Sequence, residues 1–253
     1  MQRYLRETLF AGLISLLLGL FTACSSSSQL EDEQPKPTVR TISFSGMDWV
    51  VRTTGAAKEG PGPNLFSDSE DNVWVDSQGR LHLKLVQKGG YWYSAGITLR
   101  NSLGYGKYVF YLASDLSQLD QNVVAGLFTY KNDQEEIDIE FSKWSNPENM
   151  DAQFAVQPSD KKGNKQRFNL NLASEKSTHS FDWQANYIDF LSIQGHAASS
   201  DASSIISQWR YTGANIPPDT DERLKINLWL FRGQAPSNNM PQELIIEKVV
   251  YLK

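Results

Sequence analysis

Short segments in which apolar and polar residues alternate recur along the chain from about residue 40 to its end. Residues 81–85 (Leu-His-Leu-Lys-Leu) follow a Ser-Gln-Gly turn, and residues 108–112 (Tyr-Val-Phe-Tyr-Leu) follow a glycine-rich one. Alternation with a period of two between turn residues is typical of half-buried β-strands. Further strand-like segments lie at 123–128, 187–193, 224–230 and 244–252. The pattern predicts an all-β sandwich or barrel, in one domain over residues 40–253.

The N-terminal residues do not follow this pattern and have the features of a targeting segment. Arg3 and Arg6 precede an apolar run at 9–20, which is too short to span a membrane comfortably. Small residues follow before a boundary at Cys24. A positive start, a short apolar run and small residues are typical of a secretory signal peptide, which we assign to residues 1–23. A buried helix or a membrane anchor is the alternative.

Cys24 is the only cysteine of the chain, so no internal disulfide and no cysteine-based zinc site can form. Residues 21–24 (Phe-Thr-Ala-Cys) resemble a bacterial lipobox, in which the cysteine is lipidated and becomes the first mature residue. That resemblance implies a membrane anchor at Cys24, and we assign the lipidated cysteine and a polar flexible tether to residues 24–39. We expect the protein in the cell envelope, at the outer membrane, facing the periplasm or the cell surface.

Composition and charge limit the classes of partner that the protein is expected to bind. With 24 Lys and Arg against 29 Asp and Glu, the chain has a net charge of −5 and shows no basic stripe. Because the phosphate backbone of nucleic acid demands clustered cations, nucleic acid is not an expected partner. The three histidines have no metal-ligand spacing, and no Gly-x-Ser-x-Gly motif of serine hydrolases is present. We expect a monomer that requires no cofactor.

The most informative segment is an acidic strand at residues 136–141 (Glu-Ile-Asp-Ile-Glu-Phe). Side chains alternate along a strand, so Glu136, Asp138 and Glu140 point to one side and the apolar residues to the core. A solvated strand face would show the same alternation. However, carboxylates are disfavoured in strands and repel one another in a row, which favours a site with perturbed pKa values. A calcium site is another use for such a cluster.

Glycoside hydrolysis needs one ionised and one protonated carboxyl, and a retaining mechanism places them about 5–5.5 Å apart. Residues four apart on a flat strand are separated by about 13 Å. Glu136 and Glu140 can therefore cooperate only if the strand lies on the concave face of a curved sheet, where long side chains lean inward. We expect the three carboxyls to titrate as a coupled set.

The acidic segment is also the active-site signature of glycoside hydrolase family 16, which includes bacterial lichenases, laminarinases, agarases and carrageenases. The chain resembles this family in order and spacing over about residues 64–252, through the segments 103–108, 126–130, 181–188, 214–217 and 227–229. The resemblance implies a curved β-jelly roll of the concanavalin A type with two antiparallel sheets. It also implies that Glu136 is the nucleophile, that Glu140 is the acid/base, and that Asp138 hydrogen-bonds the nucleophile.

The implied activity is that of a retaining endo-β-glycanase acting on a polysaccharide, a β-glucan or a galactan. The resemblance assigns sugar contacts to Gln153, Asn227 and Trp229. Trp144 lies just past the acidic strand, where it could stack on a sugar ring. Trp92 belongs to an aromatic run after two glycines, which predicts a sugar-binding loop or, equally, packing in the core or a hairpin.

The chain departs from the lichenase pattern at several positions. Ala155 stands where lichenases have an asparagine that contacts sugar, and Gln134 stands where they have a stacking tryptophan. Specificity for lichenan is therefore not implied. Two alternatives remain open, a non-catalytic glycan-binding lipoprotein and a transglycosylase, in which a sugar hydroxyl replaces water. Family members often hold a structural calcium ion, for which no ligands can be assigned here.

Overall fold

The structure, a computed structural model, describes residues 39–196 and 201–253. The signal peptide and the lipid-anchored cysteine predicted for residues 1–24, and the tether as far as residue 38, lie outside the described residues. Val39–Lys253 forms one compact unit. No helix in the described ranges is long and apolar enough to span a membrane.

The described residues are built almost wholly of strands. In chain order these are β1 (Thr41–Phe44), β2 (Met47–Val51), β3 (Leu65–Phe66), β4 (Val73–Val75), β5 (Leu81–Lys88), β6 (Tyr91–Leu99), β7 (Gly106–Ala113), β8 (Val123–Asn132), β9 (Glu135–Phe141), β10 (Ala152–Val156), β11 (Lys165–Phe168), β12 (Lys176–Trp183), β13 (Ile188–Gln194), β14 (Ile205–Tyr211), β15 (Arg223–Leu230) and β16 (Gln242–Leu252). Short 3₁₀ turns lie at Leu116–Gln118, Ala202–Ser204 and Phe231–Gly233. The predicted all-β class and the predicted strands are confirmed.

The strands form two curved sheets that face each other across the core. The first sheet has the order β11-β10-β9-β8-β15-β6-β2-β1, and the second has the order β4-β5-β16-β7-β12-β13-β14. The hairpin of β5 and β6 joins them, because the end of β5 pairs with the start of β6. Pairing is antiparallel throughout these sheets, apart from the two-residue strand β3, which runs parallel to β6.

The core lies between the two sheets and explains why alternation is so regular. Aromatic side chains bridge the layers: the rings of Phe154 on β10 and Phe190 on β13 stack with centroids 5.0 Å apart. Phe141 on β9 meets His179 on β12 edge-on, with centroids 4.7 Å apart. Every second residue of β9 is thus committed to the core, which leaves the alternate residues for the opposite side of the first sheet.

Candidate active site

Strand β9 divides its side chains between the core and a cavity. Ile137, Ile139 and Phe141 are fully buried in the core. Glu136, Asp138 and Glu140 point the other way and line a cavity of about 350 Å³ on the outer side of the first sheet. The carboxyl of Asp138 is nearly inaccessible, at 3 % exposure, whereas both glutamates keep partial access to the cavity. The three acids therefore form one partly enclosed cluster and not a solvated strand face.

The neighbouring strands place further side chains beside the acidic row, because directly opposed residues of antiparallel strands point to the same side. On β8 the residues opposite Glu136, Asp138 and Glu140 are, in that order, Tyr130, Phe128 and Gly126. One strand further, β15 contributes Lys225, Asn227 and Trp229 to the cavity wall. A loop at Glu59–Pro61, with Arg52, closes the cavity at one side.

On the other side of β9, amide side chains hold two of the carboxyls. Gln153 on β10 lies opposite Glu140 and donates a hydrogen bond from Nε2 to its Oε2 at 2.6 Å. Arg167 on β11 donates from Nε to the Oε1 of Gln153 at 3.2 Å, which fixes the orientation of the amide. Gln157 donates from Nε2 to Oδ2 of Asp138 at 3.1 Å. Each acid of the row thus has a different set of neighbours.

Burial and mutual repulsion raise the pKa of the carboxyls on the Glu136 side. Removal from water raises the pKa of Glu136 to about 7, with the charge of Glu140 adding to the rise. The pKa of Asp138 is raised well above its usual range by burial and by the charges of both glutamates. A hydrogen bond joins Asp138 to Glu136. This hydrogen bond lowers the pKa of Glu136 and so opposes part of the rise caused by burial.

The pKa of Glu140 is set by a different group of neighbours. Burial raises the pKa of Glu140, while the hydrogen bond from Gln153 and the charges of Lys165 and Arg167 oppose the rise. A carboxyl with a raised pKa can hold a proton at neutral pH and deliver it to a leaving group. The cluster can therefore supply one carboxylate stabilised by a neighbouring acid and one protonated acid, which are the two groups that glycoside hydrolysis requires.

The structure brings together three of the five predicted sugar contacts. Asn227 and Trp229 line the cavity, and Gln153 holds Glu140 from the adjacent strand. Trp144 does not line the cavity; the guanidinium of Arg167 lies 4.2 Å from its ring centroid. Trp92 lies in strand β6, in the hairpin that joins the sheets, and packs against the core. The aromatic run around Trp92 is thus strand and not the loop that one interpretation of the sequence predicted.

Several residues of the site escaped the sequence analysis, notably Arg52, Tyr130, Gln157 and Lys225. A signal was available for Lys225, because it lies two residues before Asn227 on one strand and therefore shares its face. The same alternation relates Gln157 to Gln153. For Arg52 and the Glu59–Pro61 loop no local pattern exists, since only the packing of the first sheet brings them to the cavity.

Within residues 39–196 and 201–253, no group of three or more His, Cys, Asp or Glu side chains is arranged to hold a metal ion. The structure therefore assigns no ligands to a calcium ion. Two carboxyls of the acidic row accept hydrogen bonds from amide side chains, Glu140 from Gln153 and Asp138 from Gln157.

Comparison with known proteins finds solved structures of similar fold but no similar sequence family. No protein-family model matches the chain, and no curated protein sequence matches it. Among solved structures, a β-glucanase of Bacillus licheniformis is 20% identical, covers 81% of this chain and 92% of its own, and superposes with a TM-score of 0.61. A β-1,3-1,4-glucanase (lichenase) derived from a mouse hindgut metagenome is 19% identical over 80% of this chain and 92% of its own, with a TM-score of 0.58.

A third similar structure is that of an immunostimulatory antigen and pseudo β-1,3-glucanase of Mycobacterium tuberculosis. It is 16% identical, covers 81% of this chain and 91% of its own, and has a TM-score of 0.60. At such low identities these likenesses concern the backbone architecture, over most of the length of each chain. The protein therefore has the curved β-jelly-roll fold found in these glucanase structures, as its sequence predicted.

Proposed function

We propose that the protein is a retaining endo-β-glycanase of glycoside hydrolase family 16 that hydrolyses a polysaccharide, a β-glucan or a galactan. The observation that carries this proposal is the row of three carboxyls on one cavity wall, with the amide of Gln153 donating to Glu140 and that of Gln157 to Asp138. The glucanase names of similar structures support the same class of substrate.

In the proposed reaction, a carboxylate oxygen of Glu136 attacks the anomeric carbon while the bond from that carbon to the leaving oxygen breaks. Glu140 transfers its proton to the leaving oxygen. Glu140, now ionised, then takes a proton from water, whose oxygen attacks the same carbon and releases Glu136. Asp138 donates its hydrogen bond to Glu136 when Glu136 is the leaving group. Asn227 and Trp229 contact the sugar from the cavity wall.

The proposal is tested by reducing-end release from lichenan, laminarin, agarose, porphyran and carrageenan. We expect cleavage of at least one polymer, and a loss of about 1,000-fold or more in Glu136→Gln, because an amide cannot form the glycosyl ester. Retention at the anomeric carbon, followed by NMR on fresh product, is the expected stereochemistry. Full activity of Glu136→Gln, or inversion of configuration, would exclude the proposed mechanism.

A second function, glycan capture without cleavage, is favoured by one finding: a structure of the same fold is that of a pseudo β-1,3-glucanase. In this case the wild-type protein and Glu136→Gln would bind a polymer with equal affinity and release no reducing ends. Product sizing separates hydrolysis from transglycosylation, since products longer than the substrate arise only when a sugar hydroxyl takes the place of water.

We also propose that Cys24 carries a lipid that anchors the protein to the cell envelope. The support is the signal-like segment and the small residues before this cysteine. Metabolic labelling with a fatty-acid probe should mark the wild-type protein and leave Cys24→Ala unmarked. Equal labelling of both proteins would disprove the anchor.

A further inference from the structure

Lys225 is a cation that lines the same cavity as the carboxyl of Glu136. It lies on β15, lines the cavity, and is opposite Phe128, which in turn is opposite Asp138 on β9. The Nζ atom of Lys225 lies 4.1 Å from the centroid of the Tyr130 ring. Since Tyr130 is directly opposite Glu136, the ring holds the ammonium group on the wall of the cavity that Glu136 also lines.

The ammonium of Lys225 is not engaged elsewhere. Among the ion pairs formed by the described residues, none involves Lys225, and its side chain is partly buried. Arg52, the other cation of the cavity wall, is held by the carboxylate of Glu59 at 3.4 Å and by the carbonyl of Gly60 at 2.5 Å. The charge of Arg52 is therefore largely compensated, whereas that of Lys225 is directed towards the cavity.

The groups that face Glu136 have opposite effects on its pKa. They are Asp138 and Glu140 on its own strand, Tyr130 on β8, Asp133 in the turn between β8 and β9, Lys225 on β15, and the Arg52–Glu59 pair. Burial and the charges of Glu140 and Asp133 raise the pKa of Glu136, and the hydrogen bond from Asp138 and the charge of Lys225 lower it. Lys225 is thus the cation that offsets an otherwise acidic surrounding.

We propose that Lys225 is a positioning residue that keeps Glu136 ionised, and hence nucleophilic, before the sugar is attacked. The inference rests on the proposed function, because it assigns Lys225 to the nucleophile of that reaction. A buried carboxylate surrounded by other acids takes up a proton unless a cation stabilises its charge. Lys225 acts on Glu136 through its charge across the shared cavity, beyond the 4.0 Å of a direct ion pair.

The test is the pH dependence of kcat/KM for the full-length chain carrying Lys225→Met, measured on the best polymer between about pH 5 and pH 9. We expect the acidic limb of the kcat/KM profile to move to higher pH by about one unit. The value of kcat/KM should then fall by about tenfold at pH 6 and change little at pH 8.5. Lys225→Arg retains the positive charge and should restore the wild-type limb.

Lys248→Met is the matched control. Its Nζ atom also lies over a tyrosine ring, 4.3 Å from the centroid of Tyr111, but on β16 in the second sheet. This variant should keep the wild-type profile. An equal loss at every pH for Lys225→Met, or an effect on KM alone, would mean that Lys225 is a structural residue or a direct sugar contact, and would overturn the inference.

Failure of the proposed function can be told apart from failure of this inference. If the wild-type chain cleaves no polymer, the titration of Glu136 is followed by NMR of its carboxyl carbon in wild type and in Lys225→Met. An upward shift of the midpoint by about one unit supports the electrostatic role of Lys225 without any activity. An unchanged midpoint contradicts it. If the wild type cleaves a polymer and the acidic limb of Lys225→Met is unchanged, the proposed enzymatic function holds. The proposed role of Lys225 is then wrong.

Discussion

The three carboxyls of β9 differ in their hydrogen-bond partners although they share one strand and one cavity. Asp138 lies between Glu136 and the amide of Gln157, and burial and the neighbouring charges raise its pKa well above the usual range. Glu140 meets an amide oriented by Arg167 and lies under the influence of two cations. Environments that separate the pKa values of similar acids are how one site provides both a nucleophile and an acid.

At the residue scale, the proposed roles predict a dependence on the leaving group. Glu140→Ala should lower hydrolysis of the natural polymer by about 100-fold or more, because the departing sugar oxygen needs a proton. Release of dinitrophenol from an activated aryl glycoside should change by less than about tenfold, since this leaving group departs without protonation. The comparison is made by kcat/KM on the two substrates. Equal losses on both would argue against an acid role for Glu140.

At the scale of elements, each of the two strands that pair with β15 has a glycine opposite Asn227. In the registers of the first sheet, Asn227 lies opposite Gly96 on β6 and opposite Gly126 on β8. A Cβ atom at Gly96 would lie 2.4 Å from Oδ1 of Asn227. At Gly126 the nearest atom would belong to Phe128, at an ordinary distance of 3.5 Å. The Asn227 side chain therefore lies over Gly96 and not over Gly126.

This asymmetry predicts different outcomes for two similar substitutions. Gly96→Ala should lower the free energy of unfolding by about 1–3 kcal/mol and raise KM, because Asn227 must leave its place. Gly126→Ala should leave stability unchanged, or raise it by up to about 1 kcal/mol through the smaller entropy of the unfolded chain. Urea unfolding measures both variants. If the two variants are equally stable, the close approach of Asn227 to Gly96 is not a constraint.

At the scale of the whole molecule, the raised pKa of Glu136 lowers the stability of the folded protein at neutral and higher pH, whereas the core stabilises it. A carboxyl whose pKa is raised in the folded state binds a proton more tightly there than in the unfolded chain, so stability falls as pH rises through the interval between the two values. For Glu136 this interval runs from its ordinary range to about 7. The packed layers of the sandwich must therefore tolerate a strand that carries buried acids at neutral pH.

Removing the acid should accordingly stabilise the fold. We expect Glu136→Gln to raise Tm at pH 8 by about 2–6 °C, from a gain on the order of 1–2 kcal/mol. The gain should disappear at pH 4, where Glu136 is protonated in both states. Calorimetry at the two pH values measures it, and Glu148→Gln, at an exposed loop position, is the control that should show no such change. A stabilisation independent of pH would point to a cause other than the titration of Glu136.

The sequence by itself determined the class of the fold and the face of the acidic strand. Alternation is a local property, set by the strand geometry of consecutive residues, so Glu136, Asp138 and Glu140 could be assigned to one side and Ile137 and Ile139 to the core. The proposed roles of Asn227 and Trp229 came from segment resemblance, and both residues line the cavity. Turn glycines preceded the segments that became β5 and β7, whereas Gly89 and Gly90 close a hairpin where a loop was considered.

Only the tertiary structure decided that β15 completes the wall around the acidic strand. In the order β11-β10-β9-β8-β15, strands β8 to β11 are consecutive, whereas β15 is distant in the chain, and no local pattern carries its pairing with β8. Lys225 therefore meets Tyr130 and Glu136, and Arg167 orients Gln153, only once the registers are set. The protonation of the carboxyls is decided at the same level, because burial and neighbouring charges, and not the residue types, determine their pKa values.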